Sequence, residues 1–168
     1  MKKAGAGHFI NVASLAALMK APSMGSYNAT KAAVVAISET MHFELMPYGI
    51  GVTALCPGFF RTNLHHGMKT SDPDMLKFVD KVFEASALNA DDIAEAAYQA
   101  MLNNTMICNP HPVGRRSYLI KKYLPFLYRR EVIKMAKRLK QREESRQTST
   151  DGHWFDNHAY HKLTVSWL

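Results

Sequence analysis

This sequence has little cysteine and no long apolar run. Its 168 residues hold two cysteines, Cys56 and Cys108. Neither stands in a metal-type pair spacing, and so few thiols fit a reducing compartment. No stretch approaches the ~18 uncharged apolar residues that a membrane-spanning helix needs. Lys2 and Lys3 lead into no secretory-type apolar segment, so a cytoplasmic chain is expected. No internal repeat is visible. What is present is ordinary for one globular domain: 47% hydrophobic and 21% charged residues, enough for a real core. The net charge of +7 is uneven. Residues 113–147 hold twelve cations against Glu131, Glu143 and Glu144. That segment carries +9 and the rest of the chain −2. The basicity therefore belongs to a C-terminal extension.

The pattern predicts a strand over 8–13, rich in β-formers and apolar enough to be buried. Residues 15–25 read as a loop, because they contain Pro22, Ser23 and Gly25. Ser26 is the expected N-cap of a helix over 27–47, whose apolar residues lie on more than one face, so packing on both sides is expected. Pro47 and Gly49 end it. A second buried strand covers 51–56 and stops at Pro57-Gly58. Strand, helix, strand with short connections is a βαβ unit, which makes the strands parallel. Further helices are expected over 72–84, with Asp72 and Pro73 at its start, and from Asn89 or Asp91 to about 103. Residues 105–109 suggest a short third strand. Residues 129–146 form a basic helix, and a polar, His-rich tail follows from 148. The expected division is 1–112 for the α/β part, 113–147 for the basic helical extension and 148–168 for a disordered tail.

Three residues carry chemistry. Ser14 follows the first strand, and Tyr27 and Lys31 lie one turn apart on one helix face. A lone phenol is a poor base at neutral pH. An ammonium beside it favours the phenolate and so improves acid/base catalysis. Ser14 can donate to a substrate oxygen. The carboxyl ends of parallel strands are also where such sheets bind ligands.

In order and on the right elements, these residues match a known pattern. Asn11-Val12-Ala13-Ser14, Tyr27-Asn28-Ala29-Thr30-Lys31, Pro57-Gly58 and Thr62 together resemble the short-chain dehydrogenases/reductases. The likeness runs from about 5 to 125 and is looser toward its end. It implies an α/β fold: a partial Rossmann-like parallel sheet, with a βαβ unit plus a third short strand, and C-terminal helices. It also implies an NAD(P)-dependent oxidoreductase transferring hydride between an alcohol and a carbonyl. In that reading Ser14, Tyr27 and Lys31 are catalytic, and Tyr27, Lys31, Pro57, Gly58, Phe60 and Thr62 face NAD or NADP. The family's Thr-Gly-x-x-x-Gly-x-Gly turn and Asn-Asn-Ala-Gly motif have no counterpart here. The chain thus resembles the second half of such an enzyme, and weak dinucleotide binding is expected because a phosphate-cradling turn is missing. The alternative is a catalytically inactive, family-derived fragment that acts through association or membrane-surface contact.

The partners implied are a small alcohol or carbonyl substrate and a second copy of the chain through helix 27–47. Residues 118–146 alternate apolar and cationic residues, as on an anionic membrane surface. No base-reading motif accompanies them, so nucleic acid is not expected. His65 and His66 read as loop polars or pocket lining. His153, His158 and His161 read as tail residues, and no metal site is expected. Cys56 and Cys108 read as buried small hydrophobes.

Overall fold

The computed structural model describes residues 1–62, 81 and 83–151, without the side chains of 143 and 146–151. Two compact units divide the chain, Met1–Arg129 and Arg130–Leu168. The first holds a three-stranded sheet ordered β1-β2-β3, with β1 at Gly7–Val12, β2 at Ile50–Leu55 and β3 at Ile107–Cys108. Both pairings are parallel, and β1 runs in register with β2 from Gly7 opposite Ile50 to Val12 opposite Leu55. The α/β class and the parallel βαβ unit with its third strand are as the sequence implies.

The central strand is the buried one. Val52, Thr53, Ala54 and Cys56 are fully enclosed. Helix α2, Gly25–Leu45, packs on the sheet and buries Val35 and Ser38. Ala13, Ala17, Leu18, Val35, Ala54 and Cys56 form one apolar cluster; Leu55, Ile93, Ala97, Ala100 and Cys108 form another. The second draws on α3, Ala90–Leu102. Asn89 caps that helix: its side-chain oxygen accepts from Asp91 N at 2.8 Å and Asp92 N at 3.1 Å, while the Asp92 carboxylate accepts from Asn89 N at 2.8 Å.

Four expectations change. Residues 15–25 are not all loop, since Leu15–Met19 forms a short helix, α1, capped by Ser14. The run Leu15-Ala16-Ala17-Leu18-Met19 is made of good helix formers, and this local preference prevails before Pro22. Ser26 is not the cap of α2; Met24 holds that position and Ser26 lies inside the helix. β1 is largely exposed, because β2 pairs with only one of its edges among the described residues. Finally α2 is packed on one side, leaving Ile37 and Phe43 about 60% exposed (58% and 62%).

Past β3 the chain forms α4, Pro112–Tyr123, and α5, Pro125–Asp151, with Pro125 marking the break. Within the first unit, Lys121 donates to the Leu18 carbonyl and the Tyr128 hydroxyl to that of Met19, so both satisfy the carbonyl end of α1. Within the second, α5 carries exposed ion pairs, Glu131 with Lys134 and Lys140 with Glu144. Among the described residues no helix is long and apolar enough to cross a membrane. The expected helix over 72–84 falls mostly, and most of the tail from 148 falls too, outside the described residues.

Small polar side chains tie the layers together inside this core. The buried Thr53 hydroxyl donates to Thr105 O at 2.7 Å, which leaves it to accept from His8 Nε2 at 2.8 Å. Asn11 Nδ2 donates to Ser38 Oγ at 3.0 Å, and Ser38 in turn donates to Val34 O at 2.7 Å. Thr53→Val keeps the shape of the side chain but leaves the His8 N–H and the Thr105 carbonyl without a partner. It should destabilise the fold by about 1–3 kcal/mol. Urea unfolding measures this, and an unchanged midpoint would show that the Thr53 bridge contributes nothing.

Candidate active site

The site forms where β1 and β2 end. The ladder between them continues beyond the strands: Ala13 N donates to Leu55 O at 2.8 Å and Leu15 N to Pro57 O at 2.7 Å. These bonds bracket Ser14 and set it beside the Pro57-Gly58 turn. Ser14 has extended backbone angles, φ −168° and ψ 156°, as an N-cap needs. Its hydroxyl oxygen accepts from Ala16 N at 3.2 Å, so its own O–H remains available to donate.

Tyr27 and Lys31 occupy the first two turns of α2, with the Lys31 ammonium 5.9 Å from the centre of the Tyr27 ring. Lys31 Nζ also donates to Val12 O at 3.3 Å, which holds it at the end of β1, two residues before Ser14. The start of α2 is fixed from the loop side, where Asn28 Nδ2 donates to Ala21 O at 2.8 Å. The Tyr27 ring is exposed. The sequence motifs are thus brought to one end of the sheet: Ser14 and Lys31 at the end of β1, and Pro57 and Gly58 at the end of β2.

Phe60 is half-buried and packs against the second apolar cluster, so its side chain points into structure. Arg61 forms an isolated parallel bridge with Asn89, and Thr62 is half-buried just beyond it. His65 and His66, like His153, His158 and His161, lie outside the described residues. Among the described residues no three His, Cys, Asp or Glu side chains gather as a metal site would require.

Residues 1–73 match the family model described as short chain dehydrogenase. Over these residues the chain belongs to the short-chain dehydrogenase/reductase family. Its likeness to "Probable oxidoreductase EphD" of Mycobacterium tuberculosis is 31% identity over 127 residues, 71% of this chain and 22% of that protein. With the 3-oxoacyl-[acyl-carrier-protein] reductase of Synechocystis it is 34% identical over 79 residues, 47% of this chain and 31% of that one. Among solved structures, a short-chain dehydrogenase/reductase from Burkholderia phymatum in complex with NAD superposes with a TM-score of 0.64 at 26% identity. The match covers 76% of this chain and 51% of that one. The chain thus spans about half of that solved relative, and less of the two curated ones.

Within this family frame, the donors present suit the nicotinamide end of a dinucleotide. They comprise a phenol, an ammonium and a hydroxyl around the carboxyl ends of two parallel strands. No glycine-rich turn in the sequence offers backbone N–H groups to the phosphates. One contributor escaped the sequence reading: His111, at the start of α4, bonds to the Gly58-Phe59 backbone. Only its place between Pro110 and Pro112 hinted at a fixed position.

Cys56 lies directly behind this site, fully buried. Burial pushes its thiol from 9.0 up to about 11, with a backbone hydrogen bond at Ser14 pulling the other way and Cys108 and Glu39 adding a little. The folded state therefore favours thiol over thiolate. This preference stabilises the fold fully below pH 9.0 and is lost as pH rises toward about 11. The stability advantage of the natural chain over Cys56→Ala should shrink by about 2–3 kcal/mol across that window. Denaturant unfolding at a series of pH values measures it, and a constant difference would contradict the account.

Proposed function

We propose that this chain carries the proton-transfer and nicotinamide-facing half of an NAD(P)-dependent oxidoreductase acting on an alcohol or carbonyl. The observation that carries this reading is the convergence of Ser14, Lys31 and Pro57-Gly58 at one end of the sheet, with Tyr27 beside Lys31. A bound reduced nicotinamide supplies the hydride. In the reducing direction, Tyr27 gives its phenolic proton to the carbonyl oxygen and Ser14 donates a hydrogen bond to the same oxygen. Lys31 stabilises the phenolate left on Tyr27, and solvent returns the proton. The reverse direction runs the same proton from alcohol to Tyr27. The backbone at Pro57 and Gly58, with that of Phe60 and Thr62 beyond, would hold the nicotinamide.

NMR titration of the 168-residue chain with reduced nicotinamide mononucleotide and with NADH tests this. Both should shift the amides of Ser14, Lys31, Gly58 and Thr62. NADH should bind no more than a few-fold more tightly, since its second phosphate and adenosine meet no glycine-rich turn. Lys31→Met should weaken both about ten-fold. Tyr27→Phe should leave binding unchanged and lower any carbonyl reduction by roughly a hundred-fold or more. No shift at millimolar ligand would reject the cofactor reading.

A second reading rests on the exposed apolar residues of α2 and on the edge of β1 that no strand pairs among the described residues. Ile37, Phe43, Phe9 and Val12 are exposed, which favours a module that works by association with a second copy of itself. Sedimentation at micromolar concentration should then show a dimer that Ile37→Asp with Phe43→Asp converts to monomer. A stable natural monomer would reject it.

A further inference from the structure

His111 sits 53 residues from Gly58 in sequence but touches it in space. Gly58 N donates to His111 Nδ1 at 3.1 Å, and His111 Nε2 lies 2.8 Å from Phe59 O. A carbonyl only accepts, so Nε2 must carry the proton, while Nδ1 must be bare to accept from an amide. One neutral tautomer therefore satisfies both contacts. Two peptide units of the loop, Pro57–Gly58 and Phe59–Phe60, are held by a single rigid ring.

The ring itself is rigidly carried. Pro110 and Pro112 restrict the backbone on both sides of His111. Its own N–H donates to Asn109 Oδ1 at 3.3 Å, and Asn109 is buried. Buried Gly114 allows the first turn of α4 to close on that asparagine, for a Cβ there would fall 2.9 Å from Asn109 Oδ1. From the other side the loop is gripped by the bond of Leu15 N to Pro57 O at 2.7 Å. A Cβ on Gly58 would come 3.3 Å from Leu15 Cδ2 and 3.5 Å from the His111 ring, so the turn is closely confined between the two.

We propose that His111 is a positioning residue: its Nε2–H tautomer staples Gly58 and Phe59, and thereby aims the backbone from Pro57 to Thr62 at the nicotinamide. The inference rests on the cofactor reading above for the ligand, but not for the staple. A loop held at only one end samples many backbone states, and fixing them costs conformational entropy. The staple removes that cost before the ligand arrives. His111 acts through the loop and need not touch the ligand.

Two measurements on the full chain separate the staple from its use. In the first, hydrogen exchange and long-range proton–nitrogen NMR are recorded for the natural chain, His111→Leu and His111→Gln. The natural chain should show a protonated Nε2 and a bare Nδ1. In His111→Leu the Gly58 amide should exchange about ten-fold faster, the value of one hydrogen bond. The Val52 and Thr53 amides should keep their rates. His111→Gln, which offers an acceptor and a donor on one planar amide, should restore part of the protection. An Nδ1–H tautomer, or a Gly58 rate unchanged in His111→Leu, overturns the staple. So does a loss of protection spread equally over β2, which would make His111 a general packing residue.

In the second, reduced nicotinamide mononucleotide is titrated into the same three proteins. Affinity should fall about ten-fold in His111→Leu and recover in part in His111→Gln. Equal affinity in all three overturns the positioning role. If the natural chain binds none, the cofactor reading and the positioning role fail together, while the exchange data still decide whether the staple exists.

Discussion

The hydrogen bond from Leu15 N to Pro57 O, 2.7 Å long, is the contact on which the site depends. It extends the β1–β2 ladder past both strands, at the point where each chain would otherwise diverge. Without it Ser14 would be held above the sheet from one side only, by the Ala13–Leu55 bond, and the Pro57-Gly58 turn would have one anchor in place of two. Parallel ladders hold their strands at an even spacing but need a crossover to close. Here α2 is that crossover, and the Lys31–Val12 bond fastens it to the same strand end. The start of α1 at Ser14, the crossover helix and the turn after β2 are thus tied at one end of the sheet by three backbone acceptors: Val12, Leu55 and Pro57.

Much of this was legible in the sequence, for identifiable reasons. A β-rich run, a helix opening on Tyr-x-x-x-Lys and a second apolar run ending in Pro-Gly define a right-handed crossover almost by themselves. Given that topology, Ser14 and Gly58 must end neighbouring strands. The start of α3 was legible to within two residues, as Asn89 or Asp91, and the structure selects Asn89, whose capping-box partner Asp92 stands three residues on. What was not legible depends on distance or on burial. The role of His111 arises from a contact across 53 residues, and nothing in Pro-His-Pro names Gly58 as its partner. The exposure of β1 could not be read from its apolar content, since a strand's burial is set by what lies beside it. α1 was hidden by Pro22, Ser23 and Gly25, whose turn chemistry applies to the end of that segment and not to its beginning.

The interior shows why the two adjacent strands can present a site so compactly. Cys56, Thr53 and Ser38 are small, enclosed side chains. Thr53 and Ser38 satisfy backbone carbonyls with their hydroxyls, while Cys56 stays neutral through burial. Small residues let α2 and the sheet approach closely, and their polar atoms cost nothing while each has its partner. Gly49 meets the same demand at the turn into β2: its φ of +67° is left-handed, and a Cβ there would lie 2.3 Å from the Gly5 carbonyl oxygen. The close approach of residues 5 and 49 then starts β1 and β2 at matched heights, which sets the register that the site inherits at the far end.

That register is secured from one side only among the described residues. β1 bonds to β2 along one edge, and Phe9, Ile10 and Val12 remain exposed. Parallel sheets are ordinarily covered on both faces, and an uncovered edge strand is the part of a sheet most free to move or to find a partner. Ser14 and the acceptor of Lys31 are both carried by this strand. The precision of the trio is therefore coupled to whatever covers β1 and the exposed face of α2. On the proposed readings association and chemistry would be linked: covering the edge would narrow the motion of β1, and narrowing that motion would hold Ser14 and Lys31 in place. Tyr27 and the Pro57 turn, supported by α2 and by His111, depend on that cover less.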